Sequence, residues 1–273
     1  MSSLPTPNST ASKSTSDMEV SLEGKRAFIT AGAAGMGRAT ALAMDAVGAE
    51  VFTCDIDQRG LDSLPASISS WSCDVTDSGK LDEIFHELSR DGLDILVNNA
   101  GIAGPTKLVE DITDEEWHQT MAVGIDSQFF CVRRAVPIFK EQGHGVIINL
   151  VSAAGLMGYP TRTPYAAAKW AVTGFTETLA MELGPHNIRV NGISPGNVNG
   201  DRMERVIAGH ATVDNLDPEE VRRLYALGTS MQCYVDPEEI ADVIVFLCSD
   251  FGRHISGQIV GVDGNTETLW PRS

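Results

Sequence analysis

The sequence predicts an α/β protein built on one doubly wound sheet of about seven parallel strands, with helices on both faces and no division into two domains. Three observations lead there. Short, mostly apolar runs at about 26–30, 50–54, 69–73, 94–98, 145–151, 188–194 and 258–262 alternate with helical stretches, the pattern of parallel strands joined by crossover helices. A glycine-rich turn, Ala31-Gly32-Ala33-Ala34-Gly35-Met36-Gly37, links the first run to the first helix. Asp55, Asn98, Ser152 and Pro195 all stand where a strand ends, and doubly wound sheets bind ligands at the carboxyl ends of their strands. Right-handed crossovers then fix the winding.

Residues 1–21 are rich in Ser, Thr and Pro and hold no apolar stretch suited to a signal peptide or membrane span. They bury too little to offset their ordering entropy and are expected to form a disordered tail. The first strand, Lys25–Thr30, feeds the glycine turn and a helix from Ala39 to Val47. The second, Glu50–Cys54, ends in Asp55. Asp77–Arg90 carries Leu81, Ile84, Phe85 and Leu88 at helical spacing. The strand Asp94–Val97 runs into Asn98-Asn99-Ala100-Gly101, and the run 145–151 delivers Ser152. Pro164 then opens a helix, since its missing N–H is not needed in a first turn, and the Ala-rich run behind it propagates that helix. The run 188–194 leads to Pro195-Gly196.

On the Pro164 helix, Tyr165 and Lys169 lie four residues apart and share a face, so a phenol and an ammonium point into one space. A phenol with a pKa near ~10 is a poor base at neutral pH. A fixed cation stabilises the phenolate and suits it to proton exchange with an alcohol or ketone. Such a pair is common on helices, and its weight comes from what precedes it. A glycine turn between strand and helix suits a pyrophosphate, because backbone N–H groups can approach the anion and the helix dipole favours it. Asp55, eighteen residues after Gly37, can accept both ribose hydroxyls of NAD and would repel a 2′-phosphate. Neither Ala34 nor Ile56 is a basic residue that could clamp such a phosphate, so NAD is expected over NADP.

These segments, in this order, resemble the short-chain dehydrogenase/reductase family in its compact, roughly 250-residue subgroup. The likeness is carried by Thr30 to Gly37, Cys73-Asp74-Val75, Asn98 to Gly101, Ser152, Tyr165-x-x-x-Lys169, Pro195-Gly196, and Ser256-Gly257-Gln258 through Val262-Asp263-Gly264. It implies a Rossmann-type fold, a single dinucleotide-binding catalytic domain over 22–273, and a substrate lid at about 199–233. Ser152, Tyr165 and Lys169 are implied as catalytic residues. Cofactor contacts are implied for Gly32, Gly35, Met36, Gly37, Asp55, Ile56, Asp74, Val75, Asn98, Ala100, Gly101, Val123, Tyr165, Lys169, Pro195, Gly196 and Val198. The implied activity moves a hydride between NAD(H) and a secondary alcohol or ketone: a polyol, sugar, hydroxy acid or cyclic alcohol. Homodimers or homotetramers, paired through 117–139 and 164–183, are implied too, with Thr268-Leu269-Trp270-Pro271 either reaching a neighbour's site or packing on its own subunit.

Three positions depart from the family pattern. Ala31 replaces its first glycine, where Gly32 is expected to relax the turn. Gly200 replaces a threonine whose hydroxyl faces the nicotinamide amide, leaving a backbone group or Asn199 to substitute. Gly124 stands where an Asn normally holds a water that links the lysine to solvent. Either the relay is rewired or the change is silent.

Composition narrows the remaining classes. A net charge of −17 argues against nucleic acid or an anionic membrane surface as partner. Five scattered cysteines and no clustered His ligands suggest reduced thiols in a cytoplasmic enzyme without a metal site. Met157 and Tyr159 are candidates for the pocket wall. Arg162, Arg202, Arg205, Arg222 and Arg223 either grip an anionic substrate or belong to solvated faces beside Glu204, Glu219 and Glu220. Two other functions stay in view: a catalytically lapsed NAD-binding scaffold, supported by Gly124, and a 3-oxoacyl thioester reductase, opposed by Asp55.

Overall fold

The computed structural model describes residues 20–270, so the expected N-terminal tail lies almost wholly outside the described residues. Seven parallel strands form one sheet in the order β3-β2-β1-β4-β5-β6-β7. They are β1 (Arg26–Thr30), β2 (Glu50–Asp55), β3 (Ser69–Ser72), β4 (Ile95–Asn98), β5 (Gly145–Leu150), β6 (Ile188–Pro195) and β7 (Ile259–Val262). The order reverses between β1 and β4, which leaves a crevice beyond their carboxyl ends.

Strand alternation explains why both faces are covered. Phe28 joins an apolar cluster with Leu81, Phe85, Cys131 and Leu179, from α3 (Ser78–Leu88), α5 (Ser127–Gln142) and α6 (Thr163–Leu183). Its neighbours Ala27 and Ile29 point the other way, to Ala41 and Met44 of α1 (Gly35–Ala46) and to Ile240 and Ile244 of α9 (Pro237–Cys248). The sheet is thus sandwiched, and its carboxyl edge is the surface open to ligands. The remaining helices are α2 (Gln58–Asp62), α4 (Asp114–Met121), α7 (Asp201–Asp214) and α8 (Pro218–Leu227). The helix α7–α8 pair occupies the stretch expected as a lid. No helix among the described residues is long and apolar enough to cross a membrane.

Several boundaries moved for local reasons. Helix α1 begins at Gly35, four residues before the expected start, because the second half of the glycine turn already has helical hydrogen bonding. Between α4 and α5 the chain makes a π-turn over Ala122–Asp126, which contains Gly124. A Cβ at Gly124 would sit 2.8 Å from the Ala168 Cβ on α6, so glycine here lets the two helices approach closely.

Candidate active site

The nucleotide end of the crevice is made mainly of backbone. Helices α3, α4, α8 and α9 are capped by Asp77, Thr113, Asp217 and Asp236 side chains, but α1 starts from extended Ala34 with no side-chain cap. Its first N–H groups are therefore left for a ligand. Glycine is required where the loop meets its surroundings: a Cβ on Gly37 would overlap the Ala31 carbonyl and the Asn99 amide, and one on Gly32 would overlap Thr53. Gly35 has a φ of +54°. Ala31 itself is left-handed, with φ +58°, whereas Gly32 is not. The expected relief by Gly32 is therefore corrected: alanine carries the turn's unusual conformation, and Gly32 supplies space.

Asp55 ends β2 and accepts hydrogen bonds from the Ala33 and Asp57 N–H groups, both at 3.0 Å. A carboxylate has about four acceptor sites, so capacity remains for ribose hydroxyls. Ile56 beside it is 73% exposed. Met36 is half-buried at the start of α1. Asp74 accepts from the Thr76 N–H and hydroxyl, both at 2.8 Å, and Val75 is buried behind it.

The β4 loop shows which asparagine does what. Asn98 is buried and donates to Asn149 at 2.9 Å, so its side chain braces β4 against β5. Asn99, which the sequence reading passed over as a site residue, donates to the Thr30 and Ala31 carbonyls and ties this loop to the glycine turn. Ala100 N–H donates to the Thr30 hydroxyl at 2.9 Å. Gly101 lies beside the Lys169 ammonium. Pro195 closes β6, and a Cβ on Gly196 would approach the Asp263 Cα to 2.8 Å, so this turn packs directly on the loop after β7. Val198 pairs with Val235, and Val123 lies in the π-turn against the core. Asn199 donates to Asp236 at 2.6 Å, which turns its amide toward the start of α9.

Ser152, Tyr165 and Lys169 meet at the centre. Ser152 follows β5, accepts from the Ala154 N–H at 3.2 Å, and lies near enough to the Tyr165 hydroxyl to lower its pKa. Lys169 is buried, donates to the Leu150 carbonyl at 2.6 Å, and has its Nζ 5.8 Å from the Tyr165 ring centre. Burial pushes the Tyr165 pKa up, but Lys169, Ser152, Arg202 and Arg162 together outweigh it and hold the phenol below its ordinary value. Burial in turn lowers Lys169, partly countered by Tyr165. Gln128 approaches from the π-turn side, with its amide nitrogen 3.4 Å from the Gly124 carbonyl and 3.5 Å from the Leu150 carbonyl that Lys169 uses. Four-residue spacing from Gly124 was the only sequence signal for it.

Around Tyr165, side chains from distant segments pack together. Tyr159 bonds the Tyr225 hydroxyl of α8 at 2.8 Å, and Tyr225 meets His210 of α7 at 3.1 Å. Trp270 stacks on His210 with ring centres 4.0 Å apart, and Leu269 packs with Ala153, Ala154, Met157 and Tyr165. Leu269 and Trp270 thus pack on their own chain. Arg222 pairs with Glu204, and Arg223 with Glu220 at 2.6 Å, so these two belong to ion-paired faces. Arg202 donates to the Gly101 carbonyl at 2.6 Å. Among the described residues no group of three or more His, Cys, Asp or Glu side chains could hold a metal.

Comparison with known proteins agrees with this geometry. Residues 31–265 match the family model described as enoyl-(acyl carrier protein) reductase. The chain is 35% identical to the 3-oxoacyl-(acyl-carrier-protein) reductase FabG of Thermotoga maritima, over 89% of this chain and 98% of that protein. It is also 35% identical to the trans-4-hydroxycyclohexanecarboxylate dehydrogenase of Sinomonas cyclohexanicum, over 88% and 92%. The crystal structure of an NAD+-bound xylitol dehydrogenase superposes with a TM-score of 0.85 at 30% identity, covering 89% of this chain and 99% of that one. With its parallel seven-stranded sheet and its motifs in family order, the chain belongs to the short-chain dehydrogenase/reductase family.

Proposed function

We propose that this protein is an NAD(H)-dependent oxidoreductase interconverting a secondary alcohol and its ketone. The observation that carries the reading is the convergence of Ser152, Tyr165 and Lys169 beside an uncapped helix N-terminus and its glycine turn. The glycine turn with Gly35 and Gly37 would hold the pyrophosphate, Asp55 the adenosine ribose and Lys169 the nicotinamide ribose. NAD(H) bound there supplies or accepts the hydride. Ser152 orients the substrate oxygen by a hydrogen bond. Tyr165, as phenolate, takes the hydroxyl proton during oxidation and returns it during reduction. Lys169 keeps positive charge next to the phenolate. Asp55, with Ile56 rather than a basic residue after it, favours NAD over NADP.

The relatives support the breadth of this class, since they include enzymes named for a cyclic hydroxy acid and for xylitol. The Thermotoga maritima relative favours a second reading, reduction of a 3-oxoacyl thioester. In this family that role usually runs on NADPH, which Asp55 opposes. The reading extends to a cytoplasmic homodimer or homotetramer formed through α5 and α6, which leave Phe129, Trp170 and Met181 exposed. The deciding experiment follows NADH absorbance over a panel of secondary alcohols, sugars, polyols and hydroxy acids with NAD, and a 3-oxoacyl thioester with NADH and NADPH. Turnover of an alcohol with NAD supports the first reading. Turnover of the thioester alone, with NADPH, replaces it.

A further inference from the structure

Arg162 is a buried cation set against the catalytic phenol. The residue is 2% exposed, and its Nε and Nη1 are shut off from water with no hydrogen-bond acceptor. Of five N–H donors, a single contact is made, from Nη2 to the Ala103 carbonyl at 2.6 Å. It forms no ion pair among the described residues, although the chain carries 37 Asp and Glu. An arginine cannot shed its proton to escape burial, and an uncompensated buried charge is strongly unfavourable. On the half-exposed lid face Arg222 and Arg223 each have a glutamate, whereas Arg162 has one carbonyl.

Its place is specific. The guanidinium carbon lies 5.1 Å from the ring centres of both Tyr159 and Tyr165, between the catalytic phenol and a second aromatic face. Arg202 adds positive charge from α7. Tyr159 is tied through its hydroxyl to Tyr225 of α8, which links this corner to the lid.

We infer that Arg162 receives the substrate's own negative charge, so that the alcohol oxidised here is a hydroxy acid, its carboxylate a few bonds from the carbinol carbon. The inference rests on the oxidoreductase reading of this site and names its substrate class. A carboxylate supplies the acceptors that Nε and Nη1 lack, and charge-assisted bonds to a guanidinium are among the strongest available.

The test compares acids with their neutral counterparts. Wild-type protein with NAD is assayed on 3-hydroxybutyrate, lactate and trans-4-hydroxycyclohexanecarboxylate, on the methyl ester of each, and on 2-butanol, cyclohexanol and xylitol. The acid is expected to exceed its ester at least ~10²-fold in kcat/KM, because a site built around a polar group rejects the analogue lacking it. In Arg162→Gln that ratio collapses toward one, mainly through KM, and in Arg162→Lys part of it returns. A wild-type protein that prefers esters or neutral alcohols overturns the inference, as does an Arg162→Gln protein that keeps the acid preference. Should Arg162→Gln fail to fold, the wild-type acid-to-ester ratio decides. Turnover of neutral alcohols without acid preference sinks this inference alone. No turnover anywhere in the panel sinks the oxidoreductase reading with it.

Discussion

The two ends of the crevice are built from different materials. On the proposed reading the nucleotide end offers mainly backbone N–H donors of one contiguous segment, Ala31 to Gly37, buttressed by Thr30, Asn99 and Asp55. The proposed substrate end offers side chains: Ser152, Tyr159, Arg162 and Tyr165 from one loop and helix start, with His210, Tyr225, Leu269 and Trp270 packed around them. A backbone cradle makes a generic anion site that tolerates few substitutions. A side-chain wall is free to vary, and specificity resides there. Damage at the two ends should therefore separate chemistry from binding.

The largest expected effect is at the substrate end. Tyr165→Phe removes the proton carrier but keeps the ring that packs beside Leu269, so kcat should fall by about 10²–10⁴ while NADH affinity, read by fluorescence titration, changes little. Comparable turnover in this variant would end the assignment. The wild-type pH profile sharpens the point. Tyr165 is held below its ordinary value of 10, so kcat/KM for oxidation should rise with pH through an inflection below 10, and that for reduction should fall across the same range. Removing a stabilising cation, as in Lys169→Met, moves the inflection upward.

The counterpart at the nucleotide end is Gly37→Ala. Its Cβ would collide with a backbone carbonyl and with the Asn99 amide, neither the free end of a flexible chain. Overpacking of this kind costs about 1–3 kcal/mol, so thermal stability and NADH affinity should fall together. Unchanged NADH affinity would show that the turn is not the cradle. Asp55→Ala is gentler and directional. It removes the acceptor of the Ala33 and Asp57 N–H groups along with the repulsion toward a 2′-phosphate, so the ratio of kcat/KM for NAD over NADP should drop by at least about tenfold, roughly 1.4 kcal/mol. A ratio that holds would mean that the discrimination lies elsewhere.

The same contrast explains what the sequence made legible. The strands and the glycine turn were readable because apolar runs and glycine spacing are local signals, and all seven strands fall within a residue or so of where periodicity puts them. Tyr165 and Lys169 were readable because one helix turn separates them. Arg162 was visible, but its burial was not: its neighbours in sequence are Thr161 and Thr163, and what isolates it is the fold of Tyr159 and Tyr165 around it. Asn99 and Gln128 escaped for a similar reason, since each acts on a carbonyl contributed by a different strand. The pairing of Asn199 with Asp236, 37 residues away in sequence, was equally hidden. Long-range pairing of polar side chains has no periodicity to read.

The smallest effect tests the cradle's own construction. Ala31 adopts φ +58°, a region that disfavours any residue with a Cβ, by about 1–3 kcal/mol. Ala31→Gly should relieve that strain. Part of the gain is offset by the extra freedom of glycine in the unfolded chain, about 0.4–1 kcal/mol, and by the methyl's contact with the core formed around Phe28 and Cys54. The balance should be a net stabilisation of about 0.5–1 kcal/mol, read as a rise of a few degrees at most in Tm. The sign is opposite to that of Gly37→Ala, three turns of logic from the same loop: one position lacks room for a Cβ, the other has room but the wrong backbone angle for it. A fall in Tm would mean that the methyl's packing outweighs the strain, and that this chain keeps alanine at the turn for its contacts rather than in spite of its conformation.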